Sequence, residues 1–246
     1  MPKIAVLETP DLIQDRDLRG SAAVIDVLRA TSSITQAFSS GCKRLIPART
    51  EEEARSILRE NPGALISGER RGLKIEGFDL GNSPFEYSPE NVRGKTVIMT
   101  TSNGTKAIIG AARARASPVF ICSFLNLQAV ARAYLAGGSK DLAVVCSGSH
   151  DESSLEDFAC AGALVSAILS LGPPTEFVLD DPAKEAVASF KSYEGNVLAI
   201  LEESPHGRYL KTIGFQKDLA YCAKVSFLDV VPVFSDGAVC HFTSRI

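Results

Sequence analysis

Residues 97–108 read VIMTTSNGTKAI, an apolar run that passes through Thr100, Thr101, Ser102, Asn103, Gly104 and Thr105 before a helical pattern begins. A plain strand-to-helix connection needs one turn residue and one cap. Six consecutive small hydroxyl, amide or glycine residues exceed that need. The strand, polar handover, helix pattern also recurs. Apolar runs stand at KIAVLE, AAVIDVL, KRLIPA, ALIS, KTVIMT, PVFICS and DLAVVCS, and helical patterns at residues 31–40, 50–60, 103–114, 125–136 and 155–171. Continuous apolar runs alternating with amphipathic helices predict an α/β fold, a three-layer arrangement with a mainly parallel sheet and helices on both faces.

The rhythm breaks twice. Residues 67–94 form a long Gly-, Pro- and Asn-rich connection, a length that inside a compact domain signals a binding loop or lid. Phe78, Leu80, Phe85 and Tyr87 are apolar enough to anchor it. From about residue 172 the chain reads as short helices (DPAKEAVASFKS, NVLAILEES, GFQKDLAYCA) and then a C-terminal β-ribbon, VVPVF and AVCHF, turning at Ser235-Asp236-Gly237. Asp-Gly is a strong hairpin turn, and Pro232 suggests an edge strand. One domain over residues 1–246 is expected, with residues 172–246 as its C-terminal subregion.

Composition narrows the function. With 246 residues, 45% hydrophobic and 22% charged, the chain can bury a large core. A net charge of -3 argues against nucleic acid or an anionic membrane as partner. No apolar run approaches the roughly 18–20 residues that span a bilayer, and the first residues lack a signal-peptide pattern. Six scattered cysteines without a CxxC pair read as reduced, mostly buried thiols, Cys122 and Cys146 included. A cytoplasmic protein is expected. The sequence is compatible with a homo-oligomer.

In a sheet of this kind ligands gather outside the carboxyl ends of the strands, and four handovers there carry unusual chemistry. In VIDVLRATSSI (residues 24–34), Asp26 ends a strand, a natural place for a Mg²⁺ ligand. Arg29 can grip a phosphate with paired hydrogen bonds, and an Asp–Arg ion pair beside a Ser/Thr cap explains the same residues. In the opening stretch, Asn103-Gly104 permits a tight, partly left-handed backbone. The helix N-terminus, with Thr101, Ser102, Asn103, Thr105 and Lys106, suits a phosphate, sulfonate or carboxylate. In SGERRGLKIEGFDLGNSPFEY (residues 67–87), Glu69 is followed by Arg70, Arg71 and Lys74 and then by Asp79, Asn82 and Ser83; a solvated loop accounts for some of these charges. In VVCSGSHDESSLEDFACAGALV (residues 144–165), His150 and Asp151 lie in a loop, and Glu156 and Asp157 fall in a first helical turn, where acids are common for dipole reasons. Ala159, Ala161, Gly162 and Ala163 suggest close helix–sheet packing. GxGxxG, GxxxxGK[ST] and HExxH are absent. So are a cysteine-phosphatase loop and the paired aspartates of the haloacid-dehalogenase phosphatases. Three histidines without metal spacing argue against zinc.

The segments VIDVLRATSSI, GERRGLKIEGFDLGNSP, TTSNGTKAI, CSFLNLQAVA, SLEDFACAG and SPHGRYLKTIGFQKDLAYCA together resemble the 2-phosphosulfolactate phosphatase family, known from coenzyme M biosynthesis. The resemblance runs from about residue 23 to the C-terminal ribbon, with Ser102 where a second Thr is associated with the cradle. It implies a Mg²⁺-dependent acid phosphatase that hydrolyses 2-phospho-3-sulfolactate to 3-sulfolactate and phosphate. Under that reading Asp26, Glu69 and Asp157 hold Mg²⁺ directly or through water, and Asp26, Arg29, Asp157 and His206 carry catalysis. His206 is the candidate proton donor to the leaving alkoxide. Thr31, Arg71, Asn82, Ser83, Thr101, Ser102, Asn103, Gly104, Thr105 and Lys106 bind the small anionic substrate. A phosphatase for another phosphorylated 2-hydroxy acid, and a non-catalytic anion-binding module, fit the same residues. Convergence of Asp26, Glu69 and Asp157 separates the module from the enzymes.

Overall fold

A computed structural model describes residues 1–13, 16–138, 140–149, 152–172 and 177–242. Its strands are β1 (Lys3–Leu7), β2 (Ser21–Ile25), β3 (Arg44–Ala48), β4 (Leu65–Arg70), β5 (Leu73–Lys74), β6 (Thr96–Thr100), β7 (Val119–Cys122), β8 (Leu142–Cys146), β9 (Val178–Leu179), β10 (Pro232–Ser235) and β11 (Ala238–His241). Among the described residues they form one sheet of order β5-β4-β6-β3-β11-β10-β7-β2-β8-β1-β9.

The layering follows from side-chain alternation. Every residue of β2 is buried. Ala22 and Val24 pack into one apolar cluster with Ile34, Phe38 and Ile108, which lie on α1 (Ala30–Ser39) and on α4, the third long helix (Gly104–Arg113). Between them come α2 (Glu51–Glu60) and the short α3 (Pro89–Val92). Ala23 and Ile25 face the opposite cluster with Val130 and Leu164, from α5 (Leu127–Ala136) and α6 (Leu155–Leu171). A strand buried on both faces reads as a near-continuous apolar run, which the sequence shows from Ala22 to Ile25. α6 in turn packs on α7 (Asp181–Ser192), and α8 (Val197–Glu203), α9 (Pro205–Thr212) and α10 (Gln216–Cys222) complete that side. The expected three-layer α/β arrangement is therefore present.

Three expectations are corrected. The hairpin turns at Asp236-Gly237, both at positive φ, as the sequence indicates. The ribbon, however, lies in the middle of the sheet, paired to β7 on one side and β3 on the other. Pro232 is tolerated because it is the first residue of β10, so no interior ladder bond is lost. The small residues of α6 serve helix–helix rather than helix–sheet approach at Gly162, where a Cβ would run into the Ala186 carbonyl of α7. Among the loop anchors, Phe78, Leu80 and Tyr87 are buried, whereas Phe85 is exposed beside Tyr221 with ring centroids 5.2 Å apart. All six cysteines are free, and five are buried. Among the described residues no helix is long and apolar enough to cross a membrane.

The central hairpin has a consequence for the site. Three successive antiparallel junctions separate β3 from β7, so the β4-β6-β3 block runs in the opposite sense to the β7-β2-β8-β1 block. Five strand steps lie between β6 and β2. At the usual twist of about 20–25° per step these strands are turned by more than 90°, enough for both carboxyl ends to reach one place. They do meet: Gly104, just after β6, lies against Asp26, just after β2.

Candidate active site

Asp26 is the centre of the site, and local bonding fixes it. Thr31 is fully buried, and its hydroxyl accepts from the Asp26 N–H at 3.0 Å and donates to the Asp26 carbonyl at 2.9 Å. This double clamp orients the backbone, so Thr31 faces Asp26 and not the ligand space. The Asp26 carboxylate accepts from the Ala30 N–H at 3.1 Å, at the start of α1, and takes a second backbone bond from Gly104, at the start of α4. Two helix N-termini thus converge on one carboxylate, the arrangement that helix dipoles favour for an anion.

The polar stretch after β6 is built to hold anions, and two of those anions belong to the protein. Gly104 serves Asp26, while the Ser102 N–H donates to Glu69 Oε1 at 2.8 Å. Glu69 Oε2 accepts from the Gly72 N–H at 2.8 Å, so this buried acid pins the β4–β5 turn to the cradle. Thr101 and Thr105 are buried and bonded to each other, with the Thr105 N–H on Thr101 Oγ1 at 3.1 Å. They shape the loop and do not face the ligand space. Ser102, Asn103 and Lys106 do. The expected left-handed turn is absent: Asn103 has φ -126, and Gly104 is not at positive φ. Glycine is needed there for closeness, because a Cβ would stand 2.6 Å from both Asp26 Oδ2 and Ala30 Cβ. Gly104→Ala is expected to displace Asp26 and reduce turnover at this site by roughly 10²-fold, the usual cost of a 1 Å misplacement. Steady-state kinetics alongside a thermal midpoint would read this out; unchanged kinetics would contradict it.

Asp157 and Glu156, in the first turn of α6, close the far side. Both are 3% exposed. Asp157 accepts from the Val27 N–H at 2.8 Å and from the Gly148 N–H at 3.1 Å, tying the loops after β2 and β8 together. Glu156 Oε2 is buried with no hydrogen-bond partner. These acids crowd one another. Burial, then its neighbours Glu69 and Glu156, push the Asp26 carboxyl up to about 7 against the pull of the Ala30 and Gly104 amides. Burial, with Asp26 and Glu156 nearby, holds Asp157 well above the usual carboxylate range, and burial raises Glu156. The sequence sets Glu156 beside Asp157 but gives a metal or catalytic role to Asp157 alone; the adjacent Glu-Asp pair in a first turn is the only signal for Glu156.

Two recesses open from these acids. The larger, about 660 Å³, is bordered by Asp26, Glu69, Arg71, Asn82, Lys106 and His206, with Tyr209 at its rim. A small one of about 20 Å³, enough for one water-sized occupant, lies between Asp26, Glu156, Asp157 and His206. His206 and Tyr209 project from α9, a helix the sequence reading did not resolve. Tyr209 OH donates to the Arg71 carbonyl at 3.0 Å, which ties α9 to the β4–β5 turn. Asn82 is buried with Oδ1 unpartnered at the larger recess.

The cations divide sharply. Arg29 borders the recess, but its guanidinium is held structurally. Nη1 donates to Asp218 Oδ2 at 2.7 Å, Nη2 to the Gly72 carbonyl, and the plane lies 4.1 Å from the Phe215 ring centroid. Its partner is Asp218, not the Asp26 that proximity in sequence suggested. Ser83 joins the same buried network, donating to Asp218 Oδ1 at 2.9 Å. Arg70 bonds the Glu69 carbonyl and Thr100. Arg71, at positive φ, and Lys106 are left facing the larger recess. His150 and Asp151 lie outside the described residues.

Carboxylates grouped at strand ends, flanked by two cations and a histidine, define the kind of site in which phosphoryl transfer proceeds by positioning and charge neutralisation. Comparison with known proteins agrees. Residues 7–237 match the family model described as 2-phosphosulpholactate phosphatase, and the chain belongs to this family of phosphoric monoester hydrolases. It is 42% identical over 235 residues to a probable 2-phosphosulfolactate phosphatase of Caldanaerobacter subterraneus subsp. tengcongensis, covering 94% of this chain and 95% of that one. Similarly named proteins of Clostridium acetobutylicum (38% over 235 residues; 95% and 97% covered) and Thermotoga petrophila (42% over 217 residues; 88% and 90%) are comparably similar.

Proposed function

We propose that the chain is a Mg²⁺-dependent phosphatase that hydrolyses 2-phospho-3-sulfolactate to 3-sulfolactate and phosphate, in the cytoplasm and in the context of coenzyme M formation. The observation that carries it is the convergence of Glu69, Glu156 and Asp157 on Asp26 beside a recess also bordered by Arg71 and Lys106. A binding module for an anion would gain nothing from four crowded carboxylates.

The residues present fit Mg²⁺. Glu156 Oε2 is buried without a partner at a water-sized recess shared with Asp26 and Asp157, and crowded acids held partly protonated invite a hard cation. Among the described residues no three His, Cys, Asp or Glu side chains form a group able to hold a metal alone. Mg²⁺ ordinarily takes one or two carboxylates and completes its shell with phosphate and water. One or two of Asp26, Glu156 and Asp157 would hold it directly, and the remaining acids, Glu69 included, would reach it through water. When bound, the ion would neutralise the phosphoryl oxygens and lower the pKa of the attacking water.

The chain's own groups do the rest. Lys106 and Arg71 offset the phosphate, carboxylate and sulfonate charges of the substrate. Ser102 and Asn103 supply polar contacts at the recess wall, and Asn82 offers a further one. Asp26 is fixed by Thr31, Ala30 and Gly104, so no reorganisation is needed as charge develops. His206 borders both recesses and would give a proton to the leaving alkoxide. The test is phosphate release from 2-phospho-3-sulfolactate and from 2-phospholactate, side by side. Faster turnover of the sulfonated compound is expected; equal rates would remove the sulfonate from the account and leave a phosphatase of broader range.

A further inference from the structure

A second groove adjoins the active site and has no role in the reaction described above. It encloses about 490 Å³ and meets the larger recess at Asn103 and Lys106, which border both. Arg16, Arg49, Lys106 and Arg113 line it, with Asp11 as the acid in its wall. Among the described residues, four cations against one acid is a marked local excess in a chain of net charge -3. Among the described residues none of these three arginine side chains makes an ion pair. The second observation is Ser147, also at the groove wall. It is 3% exposed and its hydroxyl has no hydrogen-bond partner. A buried hydroxyl without a partner, in the wall of a groove lined by three arginines, calls for an oxygen-rich anion.

We infer that this groove is a second oxyanion site, taking a tetrahedral phosphate or sulfonate group at Arg49, Arg113 and Ser147. Guanidinium forks match such oxyanions with paired hydrogen bonds. The arginines are exposed, so affinity is modest, with a Kd of roughly 1 mM, and it weakens with added salt because the charges are screened. The site goes beyond the phosphatase reading and does not depend on it. If that reading holds, Lys106 links the two sites, and the groove offers the departing phosphate, or the sulfonate end of the organic product, a place beside the acids.

The test is calorimetric titration of the intact protein with inorganic phosphate and, separately, with 3-sulfolactate. Wild type is compared with the Arg49→Gln/Arg113→Gln double variant and with Arg113→Glu. Both substitutions are at exposed positions, and a thermal midpoint checks that folding is kept. One binding equivalent of at least one probe is expected to weaken tenfold or more in both variants, while turnover of p-nitrophenyl phosphate stays within twofold. Loss of the phosphate equivalent identifies the free product as the ligand, and loss of only the 3-sulfolactate equivalent identifies the sulfonate. Binding of both probes unchanged in both variants would overturn the site. A chain with no phosphatase activity would leave this titration intact, so the two readings fail separately.

Discussion

Asp218→Ala is expected to lower the unfolding free energy by about 3–5 kcal/mol, the cost of leaving a buried charge without its partner. Arg29 and Asp218 have side chains 1% and 3% exposed, so neither finds water as a substitute. Arg29 also loses its orientation over Phe215, and Ser83 loses its acceptor. The same network ties α10 to the loop after β2 and to the β4–β5 turn, so activity should fall with stability. Arg29→Met combined with Asp218→Leu should cost less than either single removal, since an apolar pair leaves no buried charge. Urea unfolding midpoints with unchanged m-values would measure both. A loss under 1 kcal/mol for Asp218→Ala would mean that the pair is solvated.

Asp26→Asn should separate function from stability. Phosphate release is expected to drop by roughly 10³-fold, on the scale seen when one preorganised electrostatic group is removed. Metal-free stability should move the other way. The Asp26 carboxyl is raised from 3.8 to about 7, so between those values the folded protein holds a proton that the unfolded chain has released. Stability therefore falls as pH rises from about 4 to about 7 and levels off above that. Asparagine cannot ionise. The variant should have the higher thermal midpoint at pH 8 without metal, and the difference should shrink toward pH 4. A variant less stable at pH 8 than wild type would show that the charge is already compensated within the protein.

Much of the architecture was legible locally. Each apolar run followed by a polar handover and an amphipathic stretch reports its own strand and helix, and the bounds of α6 and α7 are those the helical patterns in the sequence indicate. The position of the C-terminal ribbon was not legible. Asp236-Gly237 announces a hairpin, but nothing in its own residues says that β7 and β3 flank it. For the site, strand-end acids were readable as chemistry, whereas their partners were not. Arg29 finds Asp218, 189 positions away, and a sequence window cannot contain both. Gly104 looked like a turn residue because Asn-Gly favours turns. Its actual reason is the approach of Asp26 and Ala30 across the fold. Glu156 was hidden behind the ordinary preference for acids in a first helical turn. Thr101 and Thr105 bond to each other where the loop enters α4, and the rest of their stretch carries the protein's own carboxylates as well as the walls of the recess.

The most direct measurement is phosphate release from 2-phospho-3-sulfolactate by protein stripped of metal with EDTA and then supplied with Mg²⁺. Negligible release from the stripped protein, recovery on adding Mg²⁺, and a rise in thermal midpoint at pH 8 over the same Mg²⁺ range are expected. Full turnover by the stripped protein, with no change on adding Mg²⁺, would contradict a Mg²⁺-dependent phosphatase.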